Sequence, residues 1–86
     1  MKKNTFALYK MSHCPYCIKT IKAIKNLKID VEYKDVNESE KHNKTLIQEG
    51  GKRQVPCLKI PNENGTFTWL YESDDIINFL TKLSIN

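Results

Sequence analysis

The sequence predicts an α/β fold: a four-stranded mixed sheet flanked by helices, in the order β-α-β-α-β-β-α. Three observations lead there. Isoleucine and leucine alternate with lysine from Ile18 to Lys28 at a spacing that a helix accommodates. Short apolar or alternating runs stand on either side of that segment. Two further strand-like runs, Pro56 to Ile60 and Thr66 to Tyr71, are separated by a turn dipeptide, Asn64-Gly65. At 86 residues the whole chain, 1–86, is read as a single domain. A chain of this size buries only roughly 60–65% of its unfolded surface, so every element has to help cover one sheet.

Phe6-Ala7-Leu8-Tyr9 reads as a short buried strand, followed by a polar loop from Lys10 to His13. Pro15 opens the first helix, where its missing N–H costs nothing, and Ile18, Ile21, Ile24 and Leu27 mark its apolar side. Val31 to Val36 alternates and predicts a second strand. Ser39 to Glu49 predicts a second helix with Leu46 and Ile47 as its apolar residues, ended by Gly50-Gly51. The hairpin follows. Ile76, Phe79, Leu80 and Leu83 then trace one face of a terminal helix, with Ser73 or Asp74 as its N-cap. The first two strands are joined through a helix and so run parallel, and the last two are joined by a tight turn and so run antiparallel. Together these connections describe the thioredoxin-like architecture.

Composition is that of a globular domain, 40% hydrophobic and 28% charged. No apolar run approaches the roughly 18 residues of a membrane span, so no membrane association is expected. The basic start Met1-Lys2-Lys3-Asn4-Thr5 is followed by an apolar stretch of only Phe6 to Tyr9, short of the about 7–15 residues of a signal peptide, and a cytoplasmic location is expected. Three cysteines, an odd count, then argue for catalytic, metal-binding or buried thiols over a disulfide framework. The net charge of +4 comes from lysines spread along the chain rather than a clustered stripe with stacking aromatics. No nucleic-acid partner is expected; attraction of anionic small molecules or acidic partners is.

Cys14-Pro15-Tyr16-Cys17 falls at a strand–loop–helix junction. There the free N–H groups and dipole of a helix start favour negative charge on Cys14, and the thiolate is the attacking form. Cys17, one turn on, lies within reach to close a disulfide. Cys14 is assigned as nucleophile and Cys17 as resolving thiol, with Pro15 stiffening the turn and Tyr16 a flat wall beside the sulfur. A lone C-x-x-C is also half of a zinc site, which His13, His42 and Cys57 complete on paper, but a second paired spacing is missing and no metal is expected. Val55-Pro56 opens the strand facing the cysteine loop. If cis, it turns the Val55 backbone toward a peptide-like ligand; an ordinary edge-strand proline is the alternative. At Glu72-Ser73-Asp74, the first helix amides and the Ser73 hydroxyl suit a carboxylate and Asp74 suits an α-ammonium group, although a plain helix cap has the same residues.

Cys14-Pro15-Tyr16-Cys17 resembles the dithiol glutaredoxin signature, and Val55-Pro56 with the hairpin and acidic helix start resembles the rest of that family's glutathione site. The resemblance covers nearly the whole chain. His13, Gln54-Val55-Pro56 and Glu72-Ser73-Asp74-Asp75-Ile76 resemble the N-terminal domain of two-domain glutaredoxins and of glutathione S-transferases; small glutaredoxins usually carry Thr-Val-Pro and a Gly-Gly pair. The resemblance implies a glutathione site made of Lys10, Tyr16, Gln54, Val55, Pro56, Ser73 and Asp74, with Val55 holding the glutathione cysteine backbone and Ser73 the γ-glutamyl end. Where small glutaredoxins place a carboxylate-binding lysine three residues before the nucleophile, this chain has Met11. Lys10, Lys52 and Arg53 are the cations available for that task. The all-helical second domain of transferases is absent from these 86 residues, which argues against transferase activity.

The function so implied is glutathione-dependent reduction of protein disulfides and glutathione mixed disulfides, a redox-homeostasis role with glutathione as co-substrate. Ribonucleotide reductase is a substrate by family expectation only, and a monomer is expected. Alternatives are a disulfide reductase fed by thioredoxin reductase and a module binding zinc or an iron–sulfur cluster through Cys14. Cys57 is expected to be buried as a small hydrophobe, with a regulatory thiol as the minority reading. Trp69 is expected to pack in the hairpin or core.

Overall fold

The computed structural model of the chain describes residues 5–85. The sequence reading of Met1 to Asn4 as a basic start lies outside the described residues. Seven elements follow one another: β1 (Phe6–Lys10), α1 (Pro15–Leu27), β2 (Val31–Asp35), α2 (Glu40–Gly50), β3 (Cys57–Pro61), β4 (Phe67–Tyr71) and α3 (Ser73–Ile85). The strands form one sheet in the order β2-β1-β3-β4. β1 runs parallel to β2 and antiparallel to β3, and β3 antiparallel to β4. This is the mixed four-stranded, thioredoxin-like fold that the element order predicts.

Strand alternation divides the core in two. Tyr9, Cys57 and Tyr71 stand in register across three strands. With Ala7, they meet Leu46 of α2 and Val36, which follows β2, on one face. On the other face Leu8, Leu58 and Leu70 are in register and meet Ile24 of α1 with Ile76 and Leu80 of α3. The sheet is thus covered by one helix on one side and two on the other. Ser39 caps α2, its hydroxyl accepting the His42 amide at 3.3 Å, and Gly51 ends it in the left-handed conformation, φ 99°.

Three sequence expectations need correcting. Ile18 does not join the buried side of α1 but is 52% exposed. At about 100° per residue, a three-residue step falls about 60° short of a full turn, so four residues so spaced span half the helix. The buried side is instead Cys17, Thr20 and Ile24, with Ile21 and Leu27 half-buried. Leu83 is exposed as well, although it lies within about 20° of buried Ile76 around α3, because it stands in the helix's last turn. Lastly, neither Ser73 nor Asp74 is the N-cap of α3, which begins at Ser73 itself. Glu72 takes that place, with φ 77° and its carbonyl accepting the Ile76 amide at 3.0 Å.

Candidate active site

Cys14 occupies the N-cap of α1 in an extended conformation, φ −98° and ψ 115°, with Pro15 as the first helical residue. Its Sγ accepts the backbone N–H of Cys17 at 3.2 Å. A sulfur so placed receives an amide that the helix itself leaves unpaired. All three cysteines are free thiols, Cys14 half-exposed, Cys17 and Cys57 fully buried. Burial first, and then the hydrogen bond with Cys14, push the Cys17 thiol up to about 12. The two thiols therefore differ in kind: one exposed at a helix start, the other a protonated neighbour beneath it. Tyr16 is 64% exposed beside them.

The loop leading to Cys14 is held from a distance. Asp35 ends β2 and is almost buried. Its carboxylate accepts Ser12 Oγ at 2.9 Å, Lys10 Nζ at 3.3 Å, and the amides of Asn37 and Glu38 at 2.9 and 3.1 Å. Burial opposes the charge, but these four donors outweigh it and hold the carboxyl below its ordinary value. Neither Ser12 nor Asp35 was singled out from the sequence. Ser12 and Lys10 lie 23 and 25 residues from Asp35, so no local spacing marks that link.

The Val55–Pro56 peptide bond is cis, which resolves the two readings of that proline. The Val55 backbone N–H and C=O take part in no hydrogen bond among the described residues. Beside them lies an open groove of about 420 Å³ lined by Tyr16, Gln54, Val55, Pro56, Glu72, Ser73 and Asp74, a size within the range of small-ligand sites. Six of the seven residues expected to meet glutathione converge there. Glu72 joins them, its carboxylate accepting Gln54 Nε2 at 3.1 Å; its position just before Ser73-Asp74 was the available signal. Asp74 pairs with Lys19 at 2.7 Å across the α1–α3 junction, an exposed pair that a ligand ammonium can displace at little cost.

Lys10 is the seventh, and it is not among the lining residues: its ammonium is engaged by Asp35. Lys52 lies over the Tyr71 ring at 4.7 Å, and Arg53 is held by Asn43 and Asn37. The groove thus offers helix amides, a hydroxyl, free backbone groups and carboxylates, with no lysine or arginine in its lining. Among the described residues no three of His, Cys, Asp and Glu gather as a metal site. Cys57 is buried in register with Tyr71, as alternation required, and Trp69 packs against Tyr9 at 5.3 Å between ring centres.

A family model, glutaredoxin, matches residues 6–64, a span that contains Cys14, Cys17, Val55 and Pro56. No curated protein sequence matches the chain. Among solved structures, a wheat glutaredoxin superposes with a TM-score of 0.68 at 22% identity, over 93% of this chain and 78% of that one. Glutathione transferase Omega 1C from Trametes versicolor gives 0.76 at 19% identity, over 98% of this chain and 39% of its own. Maleylacetoacetate isomerase from Anaeromyxobacter dehalogenans, solved with bound GSH in its active site, gives 0.73 at 18%, over 100% and 40%. The chain therefore spans about two-fifths of the length of the transferase and the isomerase.

Proposed function

The chain belongs to the glutaredoxin family, and from that membership we propose that it is a glutathione-dependent thiol–disulfide oxidoreductase acting on protein disulfides and glutathione mixed disulfides. The single observation behind this reading is a groove that reaches Tyr16, two residues past the helix-start thiol of Cys14, and presents free Val55 backbone groups at one end and the start of α3 at the other. Those two ends match a peptide-like thiol that carries an α-amino acid head.

With a glutathione mixed disulfide, the Cys14 thiolate attacks the glutathione sulfur, and the released thiolate of the substrate takes a proton from solvent. Glutathione is then covalently held in the groove, its backbone paired with Val55 and its γ-glutamyl carboxylate at Ser73. A second glutathione thiolate attacks that sulfur, giving oxidised glutathione and regenerating Cys14. With a protein disulfide, Cys14 forms the mixed disulfide and Cys17, once deprotonated, displaces the substrate thiol and leaves a Cys14–Cys17 disulfide. Two glutathione molecules reduce it. A cytoplasmic place of action belongs to the same proposal, because glutathione is kept reduced there.

Turnover of a small glutathione mixed disulfide, coupled to NADPH through glutathione reductase, tests this directly. Wild type is expected to be active and Cys14→Ser inactive, with glutathione carried by Cys14 in peptide mass spectra after exposure to oxidised glutathione. Full activity in Cys14→Ser, or turnover by thioredoxin reductase alone, would overturn it.

A further inference from the structure

The outer face of α1 carries three lysines and no acidic residue, and begins one turn after the reactive thiol. At about 100° per residue, Ile18, Lys19, Lys22, Lys25 and Asn26 fall within an arc of about 120°, and all five are exposed. The helix contains no acidic residue. Lys19 is tied to Asp74, but Lys22 and Lys25 belong to no ion pair among the described residues. At its near end the ridge turns apolar: Ile18 is 52% and Tyr16 64% exposed, and the Ile18 amide donates to the Cys14 carbonyl at 2.9 Å. A ridge serving only solubility would not need to expose an isoleucine one turn from Cys14.

We propose that this ridge docks the protein half of the substrate, and that the preferred substrates carry an acidic surface beside their reacting cysteine. The inference rests on the glutathione-dependent reading above and names its substrate class. Continuity with Cys14 singles out the molecule in reaction over an unrelated polyanion. Length excludes glutathione itself as the occupant. Lys25 stands roughly 16 Å along the helix from Cys14, whereas a tripeptide spans about 10 Å when extended and is committed to the groove on the other side of Tyr16. Two unpaired ammonium groups on a convex helix act mainly on encounter rate and register, so the signature is a salt-dependent kcat/KM.

The test compares two glutathionylated peptides of equal length, one with glutamates around its cysteine and one with glutamines, and the small mixed disulfide of glutathione with 2-mercaptoethanol. At low ionic strength the acidic peptide is expected to have a kcat/KM about tenfold above the neutral one, and about 0.5 M NaCl should erase most of the difference. Lys22→Glu/Lys25→Glu should abolish or invert the preference, Lys22→Gln/Lys25→Gln should leave a residue of it, and both should turn over the small disulfide within about twofold of wild type. Normal small-disulfide turnover without a charge preference, or a preference that survives the reversal, overturns this inference alone. No turnover of any glutathione mixed disulfide overturns the functional reading and this inference with it.

Discussion

Cys14 and Cys17 are three residues apart and yet chemically opposite, and the difference follows from where one helical turn places each side chain. The N-cap position leaves Cys14 Sγ facing an unpaired amide at the protein surface, whereas the turn carries Cys17 under the helix, where burial holds its proton to about 12. Alkylation of the native reduced protein near neutral pH should therefore modify Cys14 first, with Cys17 and Cys57 at least about a hundredfold slower, since only the thiolate reacts and both remaining thiols are buried. Peptide mass spectrometry after timed iodoacetamide quenching reads this; comparable labelling of Cys17 would contradict it. The same asymmetry predicts that Cys17→Ser retains turnover of small glutathione mixed disulfides, which need only Cys14, and loses at least about tenfold on protein disulfides, which need a resolving thiol. Equal losses on both substrates would show that Cys17 supports the fold of the loop and not the second step.

At the scale of elements, α2 is attached to the sheet by little. Leu46 is its only buried residue, and the helix end is fixed by Tyr71, whose hydroxyl lies 2.9 Å from the Gly50 carbonyl and 3.1 Å from that of Lys52. A Cβ at Gly50 would stand 2.7 Å from that hydroxyl and 3.0 Å from the Trp69 ring. Neither group yields easily, one anchored by two carbonyls and the other packed against the Tyr9 ring. Gly50→Ala should thus lower stability by about 1–2 kcal/mol despite alanine's better helix propensity, and Leu46→Ala by about 2–5 kcal/mol. Urea unfolding measures both; a stabilised Gly50→Ala would show that the contact is slack. The existence and order of all seven elements were legible because each has its own period and its own stop signal, such as Gly51 after α2. Their exact faces were less so. Ile18 looks buried by composition and is not, because three-residue spacing drifts around a helix. Glu72 as N-cap of α3 was hidden by the better-known capping residues that follow it. The candidate site was legible where chemistry is local, at Cys14 and Cys17, or marked by proline, at Val55-Pro56. It was illegible where it depends on a fold-wide contact, as with Asp35 reaching back to Ser12 and Lys10.

At the scale of the whole molecule, burial makes five acidic side chains, Cys17, Cys57, Tyr71, Tyr9 and Tyr33, hold their protons more tightly than the unfolded chain does, and in the first three the shift is large. Burial raises the Cys17 thiol from an ordinary 9.0 to about 12 and the Cys57 thiol from 9.0 to about 11, the latter partly offset by its hydrogen bond with Tyr71 and by Lys52. Burial, and then the neighbouring Cys57, lifts Tyr71 from 10.0 to about 12. In each case the folded value exceeds the unfolded one, so above about pH 9 the native state binds more protons than the unfolded chain. The stability these groups contribute is complete below pH 9 and is lost as pH rises through 11 to 12. Each contributes a slope of up to about 1.4 kcal/mol per pH unit in that window. Tyr9 and Tyr33 shift in the same direction, so the wild-type slope sums several groups and the Cys17 share is one part of it. Cys17→Ala isolates it: reduced protein of this variant starts less stable because of the lost side chain, but its decline from pH 9 to 11 should be shallower by about 1.4 kcal/mol per unit. Urea unfolding of both proteins at half-unit steps, kept reduced throughout, supplies the comparison. Parallel curves would mean that Cys17 ionises in the native state as readily as in the unfolded one. That result would also remove the physical basis for its role as the thiol that waits while Cys14 attacks.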